Sequence, residues 1–469
     1  MEGQKKLHLV VFPWLAFGHI NPYLELSKRL AAKGHHISFV STPRNLKRLP
    51  NIPQHLLPLI SLCPLPFPRL DSLPPNAEAT SDVPFDKIEF LNKACDGLQE
   101  PLTRFLKEVS PIDWIIYDFC YYWLPPIADT LGIRKVYFSL INGRGLSAMG
   151  PSLNMIKDGD GTWTDPEALT MPLKWIPFPN NVVYRLHEAK NTIGGTQKNA
   201  SGVSGMFRAG CSINGCDVLA VRSCVELDKE YLKLLEMLHG KPVLPTGLLP
   251  VSDDTKMQGG KDDETWGVLS GWLNRQRKGS VVYVALGSEL APSQDQVDEL
   301  AHGLESSGYV FLWALRKPVG SRVDLPDGFE DRTKDRGLVW KGWAPQPKIL
   351  GHDSVGAFLT HCGWSSIIEG LQFGRPLIML PFVLDQGLNA RAMEEKKLGI
   401  EIPRNEEDGS FTSNSVQKTL KMVLNDETGI IMKEEAKKMS RIVSDKNVDS
   451  RYIDNLEEYL YNHRPVREP

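Results

Sequence analysis

Trp343-Ala344-Pro345-Gln346, Thr360-His361-Cys362-Gly363-Trp364-Ser365-Ser366, Glu369, Gly374-Arg375-Pro376, Pro381 and Asp385-Gln386 fall within one short stretch of the chain. Trp343 offers an aromatic platform. An apolar run ends in His361-Cys362-Gly363, and a helix is expected to begin near Trp364. The first-turn N–H groups of such a helix, and the positive end of its dipole, suit an anionic phosphate. Ser366 adds a hydroxyl donor there and His361 a further donor. Glu369, one turn along, can accept hydrogen bonds from paired hydroxyls. Asp385 and Gln386 stand at another strand end, a usual ligand position in open α/β sheets. Any one of these residues could be ordinary core; so many apt residues together argue for a shared site.

A second constellation lies near the N-terminus. The apolar run Leu7–Phe12 leads through Pro13-Trp14-Leu15-Ala16-Phe17-Gly18 to His19. Asn21-Pro22 then reads as a capping residue and a first-turn proline opening a helix. His19 thus follows the carboxyl end of a strand. Asp118 ends another, Trp114–Asp118. A histidine can remove a proton near neutral pH, and a carboxylate can orient and stabilise the imidazolium that forms. This is the His–Asp logic of a hydrolase triad with a substrate hydroxyl in place of the serine.

Short apolar runs alternating with helical patterns must position these groups. In the first half they are Leu7–Phe12, His36–Ser41, Trp114–Asp118, Val136–Leu140 and Val218–Arg222. In the second half they are Ser280–Leu286, Val310–Leu315, Leu338–Trp340, Ala357–Thr360 and Leu377–Pro381. Alternation of this kind predicts βαβ units with parallel strands buried on both faces. Ser293 with Gln296 three residues later marks a helix start, and the helix is expected to run to Ser307. The polar stretch Ser252–Glu264 reads as a linker. Ile453, Leu456, Tyr459 and Leu460 at helical spacing predict a terminal helix that could cross back to the first domain. The expected architecture is α/β: two Rossmann-like doubly wound domains facing a cleft. Residues 1–250 form the first and 266–450 the second, with a linker at 251–265 and the helix at about 451–469 packing back.

A chain of 469 residues suits two domains, and 41% hydrophobic with 24% charged residues is ordinary for a globular protein. A formal net charge of -3 gives no electrostatic reason to expect nucleic acid or an anionic membrane. No apolar stretch reaches the roughly 18–20 residues of a membrane span. Seven scattered cysteines argue against a disulfide framework. A cytosolic monomer with a small-molecule partner is expected.

The block from Trp343 to Gln386 resembles the nucleotide-sugar signature of the plant secondary-product UDP-glycosyltransferases, and the resemblance extends over essentially the whole chain. It implies a B-type glycosyltransferase fold, with an acceptor-binding first domain and a UDP-sugar-binding second domain. It also implies that Trp343 stacks on uracil and the Ala344 backbone pairs its edge. Gln346 and Glu369 would hold the ribose, and His361 and Ser366, at the helix start after Gly363, the diphosphate. Trp364, Asp385 and Gln386 would contact the transferred sugar. Ser288 resembles the family's other phosphate-contacting hydroxyl, and His19 and Asp118 take the family's catalytic positions. Ser365 departs from the usual Asn, leaving a shorter side chain for phosphate contact.

The reaction so implied is inverting: His19 takes a proton from the acceptor hydroxyl, the oxygen attacks the anomeric carbon, and UDP leaves. No cofactor beyond the UDP-sugar and no metal is expected. The segment from Phe12 to His19 and Gly287-Ser288-Glu289 resemble the branch-forming members that extend a sugar on a glycoside. A flavonoid or terpenoid glycoside is thus the expected acceptor, and glucose or rhamnose the expected donor sugar. Phe17, Phe119, Tyr121, Tyr122 and Trp123 are candidates to line the acceptor site, and Ile141 and Asn142 could face the sugar.

Three rival readings are weaker. Asp158-Gly159-Asp160-Gly161 has the Asp-x-Asp form of metal-dependent sugar transferases, but its setting suits a solvated turn. Gly143-Arg144-Gly145-Leu146-Ser147-Ala148 fits a dinucleotide-binding pattern, yet Pro151 would interrupt its helix. A non-catalytic UDP-sugar sensor would need neither His19 nor Asp118.

Overall fold

The computed structural model describes residues 6–157, 162–181, 183–251, 261–287, 292–316 and 323–466. The first sheet contains β1 (His8–Phe12), β2 (His36–Ser41), β3 (Ile60–Pro64), β4 (Trp114–Tyr117), β5 (Arg134–Ser139), β6 (Val218–Val221) and β7 (Val243–Pro245). Its order is β3-β2-β1-β4-β5-β6-β7, with all neighbours parallel. The second contains β8 (Val281–Ala285), β9 (Val310–Ala314), β10 (Gly337–Trp340), β11 (Val355–Thr360), β12 (Leu377–Met379) and β13 (Gly399–Glu401). Its order is β10-β9-β8-β11-β12-β13, again parallel throughout. Strand order reverses between β1 and β4 in one sheet and between β8 and β11 in the other, where ligand crevices form. Phe12 is in register with Tyr117, and Thr360 with Ala285. Each pair of strands therefore releases its following residues at the same level.

The central strands are buried from end to end because helices cover both faces of each sheet. The edge strands β3, β7 and β13 escaped the sequence reading. β3 is half-exposed and ends in Pro64, while β7 and β13 each span three residues, so none carries a long apolar run.

Two helix starts differ from expectation. The helix after β1 runs Phe17–Ala32 with Ala16 as N-cap, so Pro22 lies inside it. The start is set by local backbone bonds, His19 N and Ile20 N both donating to Ala16 O at 2.8 Å. His19 therefore sits in the first helical turn, not in a loop before it. The helix Lys261–Leu273 likewise takes up the last part of the expected 251–265 linker, whose residues 252–260 lie outside the described residues. The Ser293 cap forms as read: Ser293 N donates to Gln296 Oε1 at 3.0 Å, and Gln296 N to Ser293 Oγ at 3.3 Å.

The terminal helix Lys446–Asn462 lies on the first sheet. Ile453, Leu456 and Leu460 are buried among Leu9, Val11, Ile37 and Ile116, and Trp114 Nε1 donates to Leu460 O at 2.9 Å. Tyr452 faces the second domain's core while its hydroxyl meets Glu226 Oε2 at 2.6 Å. Among the described residues, no helix is long and apolar enough to cross a membrane. Deleting the buried Leu456 side chain removes apolar contact and leaves a cavity. Leu456→Ala should lower stability by about 2–5 kcal/mol, read from denaturant unfolding.

Candidate active site

β1 and β4 pair directly, so the residues after Phe12 and Tyr117 emerge side by side. Asp118, 2% exposed, is held there by Trp14 N on Oδ2 (3.0 Å) and Phe119 N on Oδ1 (2.8 Å). His19 Nδ1 meets Asp118 Oδ2 at 2.7 Å. A carboxylate only accepts, so the imidazole proton stands on Nδ1 and Nε2 is the basic nitrogen. The Phe119 ring flanks the imidazole at 5.8 Å.

Across the cleft, the helix Trp364–Gln372 begins after Cys362 (φ 67°) and Gly363, with no side-chain cap. His361 sits before that turn. Its Nδ1 is buried without a protein partner, and burial pulls the imidazole pKa down to about 4. Two glycines make room for the ring. A Cβ on Gly287 would lie 2.8 Å from Nε2 and one on Gly363 2.6 Å, so neither position has space for a side chain. Ser288, the other expected phosphate contact, lies outside the described residues.

Trp343 is 51% exposed, as an open stacking platform requires, and Ala344 packs beside it against the second core. Gln346 Nε2 donates to Glu369 Oε2 at 2.8 Å and lies 3.4 Å from Ser366 Oγ, bringing three expected contacts into one cluster. Burial raises the Glu369 carboxyl pKa, against the opposing Gln346 bond. Trp364 is buried and its indole N–H is donated to Arg222 O at 2.8 Å. Ser365 Oγ accepts from Arg222 Nη1 at 2.7 Å.

Asp385 closes the site. Burial raises its pKa, while the Asn389 bond and the nearby His19 charge lower it. The first domain's histidine thus lies within electrostatic reach of the second domain's carboxylate. Asn389 Nδ2 donates to Asp385 Oδ2 at 2.9 Å and its Oδ1 accepts from Asn142 Nδ2 at 2.7 Å. Gln386 Oε1 accepts from Phe382 N and Val383 N at 2.9 and 3.1 Å, which fixes the orientation of its buried amide.

Among the expected acceptor-lining residues, Phe17, Phe119, Tyr122 and Ile141 are half-buried. Tyr121 and Trp123 belong to the first core, Tyr121 stacking on Phe12 at 3.9 Å. Asn142 is 1% exposed and caps its own helix at Gly145 N (2.9 Å). With Asp228 Oδ2 on Gly143 N at 2.9 Å, that cap fills the helix start where a dinucleotide would need to approach. Asp158–Gly161 lie outside the described residues.

Sequence reasoning missed Arg222, Asn389 and the Glu188–Arg391 pair. Arg222 was visible only as a charged residue ending a buried run, and Asn389 as an amide one turn beyond Asp385. Glu188 and Arg391 join the helices Leu186–Ile193 and Gln386–Glu395 through bonds of 2.6 and 3.2 Å. Nothing in their spacing announces a contact between residues so far apart in the chain.

Two doubly wound parallel sheets meeting at their strand ends make this a B-type glycosyltransferase fold. Residues 5–120 match the model of a glycosyltransferase N-terminal domain, and 244–454 that of UDP-glucoronosyl and UDP-glucosyl transferase. A UDP-glycosyltransferase of Stevia rebaudiana is 50% identical over 98% of this chain and 96% of its own length. The soyasaponin III rhamnosyltransferase of Glycine max is 39% identical over 99% and 97%. The anthocyanidin-3-O-glucoside rhamnosyltransferase of Petunia hybrida is 32% identical over 97% of each. An Arabidopsis thaliana structure complexed with UDP-L-rhamnose superimposes with a TM-score of 0.73 at 25% identity, covering 97% of this chain and 100% of that one. The chain belongs to the UDP-glycosyltransferase family and is an enzyme of that kind.

His361 gives this site a pH signature. Burial holds its folded pKa near 4 against an ordinary value of 6.5, so the unfolded chain binds the proton first. Its contribution to stability is therefore full above pH 6.5 and is lost as pH falls toward 4. Melting temperatures across that window should fall less steeply in His361→Gln than in the parent.

Proposed function

We propose that this UDP-glycosyltransferase is an inverting O-glycosyltransferase that extends the sugar of a flavonoid or terpenoid glycoside, with glucose or rhamnose as donor sugar. The observation that carries the inverting reading is the 2.7 Å His19–Asp118 bond. Asp118 holds the His19 tautomer, and Nε2 accepts the proton of the acceptor hydroxyl. The oxygen then attacks the anomeric carbon from the face opposite UDP, and the C–O bond to the diphosphate breaks.

In this reading UDP lies along the second domain, with uracil on Trp343 and the Ala344 backbone, and ribose at Gln346 and Glu369. The diphosphate lies at the helix start formed by His361, Gly363, Ser365 and Ser366, with Ser288 adding a hydroxyl. The neutral His361 donates without adding charge, while the helix N-terminus stabilises the charge that develops on the leaving UDP. We assign the transfer to these groups without a metal. Trp364, Asp385 and Gln386 form the sugar end, and Phe17, Phe119 and Tyr122 the most accessible part of the acceptor wall. The glycoside preference draws its support from the Phe12–His19 segment and from the glucoside acceptor in the name of the Petunia hybrida relative.

Mass spectrometry of products from a matrix of UDP-sugars, glycosides and aglycones, with chelator present, tests this reading. Product should form from a glycoside in chelator. His19→Ala should lower kcat by about 10²–10⁴-fold while UDP still binds. Consistently better turnover of aglycones would sink the branch-forming assignment, and loss of activity in chelator the metal-free one.

A further inference from the structure

Arg222 follows β6 at the seam between the domains and is 5% exposed. Its guanidinium donates from Nε to Leu248 O (2.9 Å), from Nη2 to Leu249 O (3.3 Å) and from Nη1 to Ser365 Oγ (2.7 Å). All three acceptors are neutral, and among the described residues no carboxylate forms an ion pair with it. Other buried arginines of this chain are paired: Arg208 with Asp96 at 2.6 Å and Arg144 with Glu395 at 2.6 Å. A buried cation given only neutral partners is costly unless a counter-charge arrives. Burial lowers its pKa to about 10, despite the opposing Glu369 and Glu25 charges, which leaves the group protonated near neutrality.

The chemistry at Ser365 indicates where that counter-charge belongs. Ser365 is the second residue of the uncapped helix Trp364–Gln372. Having accepted from Arg222, its hydroxyl still carries a proton to donate, and a donor polarised by an adjacent cation is the stronger for it. We infer that Arg222 is a positioning residue for the diphosphate, acting through Ser365 so that a first-domain cation reaches a second-domain anion site. The inference rests on the placement of the diphosphate proposed above. It also accounts for Ser365 standing where Asn was expected: a short hydroxyl can meet the guanidinium on one side and an anion on the other. The Trp364 indole bond to the Arg222 carbonyl holds both ends of this contact in place.

Calorimetric titration with UDP and with uridine, which shares the base and ribose but lacks the diphosphate, tests the relay in the full chain. The parent should bind UDP more tightly than uridine. Arg222→Gln and Ser365→Ala should each weaken UDP roughly tenfold, about 1.4 kcal/mol, and leave uridine unchanged. The double variant should be no weaker than Ser365→Ala alone, since the two residues act on one contact. Arg222→Lys, which keeps the charge, should recover part of the loss. Ser365→Ala keeps the guanidinium's carbonyl bonds and so covers the case in which Arg222→Gln fails to fold. Equal weakening of UDP and uridine, or losses that add in full, would overturn the inference while leaving the UDP site standing. A parent that bound UDP and uridine equally would overturn the diphosphate placement itself, and the relay with it.

Discussion

Parallel strands covered on both faces can offer reactive groups to solvent only where they end, and Asp118 and His361 each stand directly after a strand end. The register of β1 with β4 puts Trp14 and Asp118 at one level, so a single carboxylate can bind two backbone N–H groups and the His19 imidazole. The register of β8 with β11 brings Gly287 against His361 in the same way. Neither contact is local in sequence. Both follow from hydrogen-bonded ladders buried too deeply to slip, because a one-residue slip would turn every side chain to the opposite face.

The second governing feature is how charge is kept at the seam. Arg391 is paired bidentately with Glu188, and the Cβ that any other residue would place at Gly387 would fall 2.0 Å from Glu188 Oε1. His361 is kept neutral by burial, whereas Arg222 keeps its charge among neutral oxygens. The seam therefore holds two kinds of cation, Arg391 paired with a carboxylate and Arg222 hydrogen-bonded to neutral oxygens alone.

Much of this was legible in the chain itself. The central strands announce themselves as apolar runs, and Ser293 with Gln296 announces a helix start. The block from Trp343 to Gln386 carries enough chemistry in a short space to define the donor side. The edge strands did not show, because three-residue strands and a half-exposed strand ending in proline have no strong apolar pattern. The helix holding His19 begins five residues before the expected start: Asn21-Pro22 suggests a start that the bonds to Ala16 O override. Asn389, Arg222 and Glu188 were missed for a different reason. Their roles depend on partners in the other domain, and such pairings arise only from tertiary contact.

The terminal helix Lys446–Asn462 carries a mechanical consequence. The chain passes from the first sheet to the second after β7 and returns to the first sheet at its end, so two covalent connections join the domains. Two crossings restrain the relative motion of the domains more than one would, and they favour rotation about the line between them. Movement of that kind is a swing, like a door on two pins. The bonds Arg222–Ser365, Asn142–Asn389 and Glu188–Arg391 all span the gap that such a swing would open. A swing that parts the domains along this seam has to open all three contacts, so they hold the closed arrangement in common.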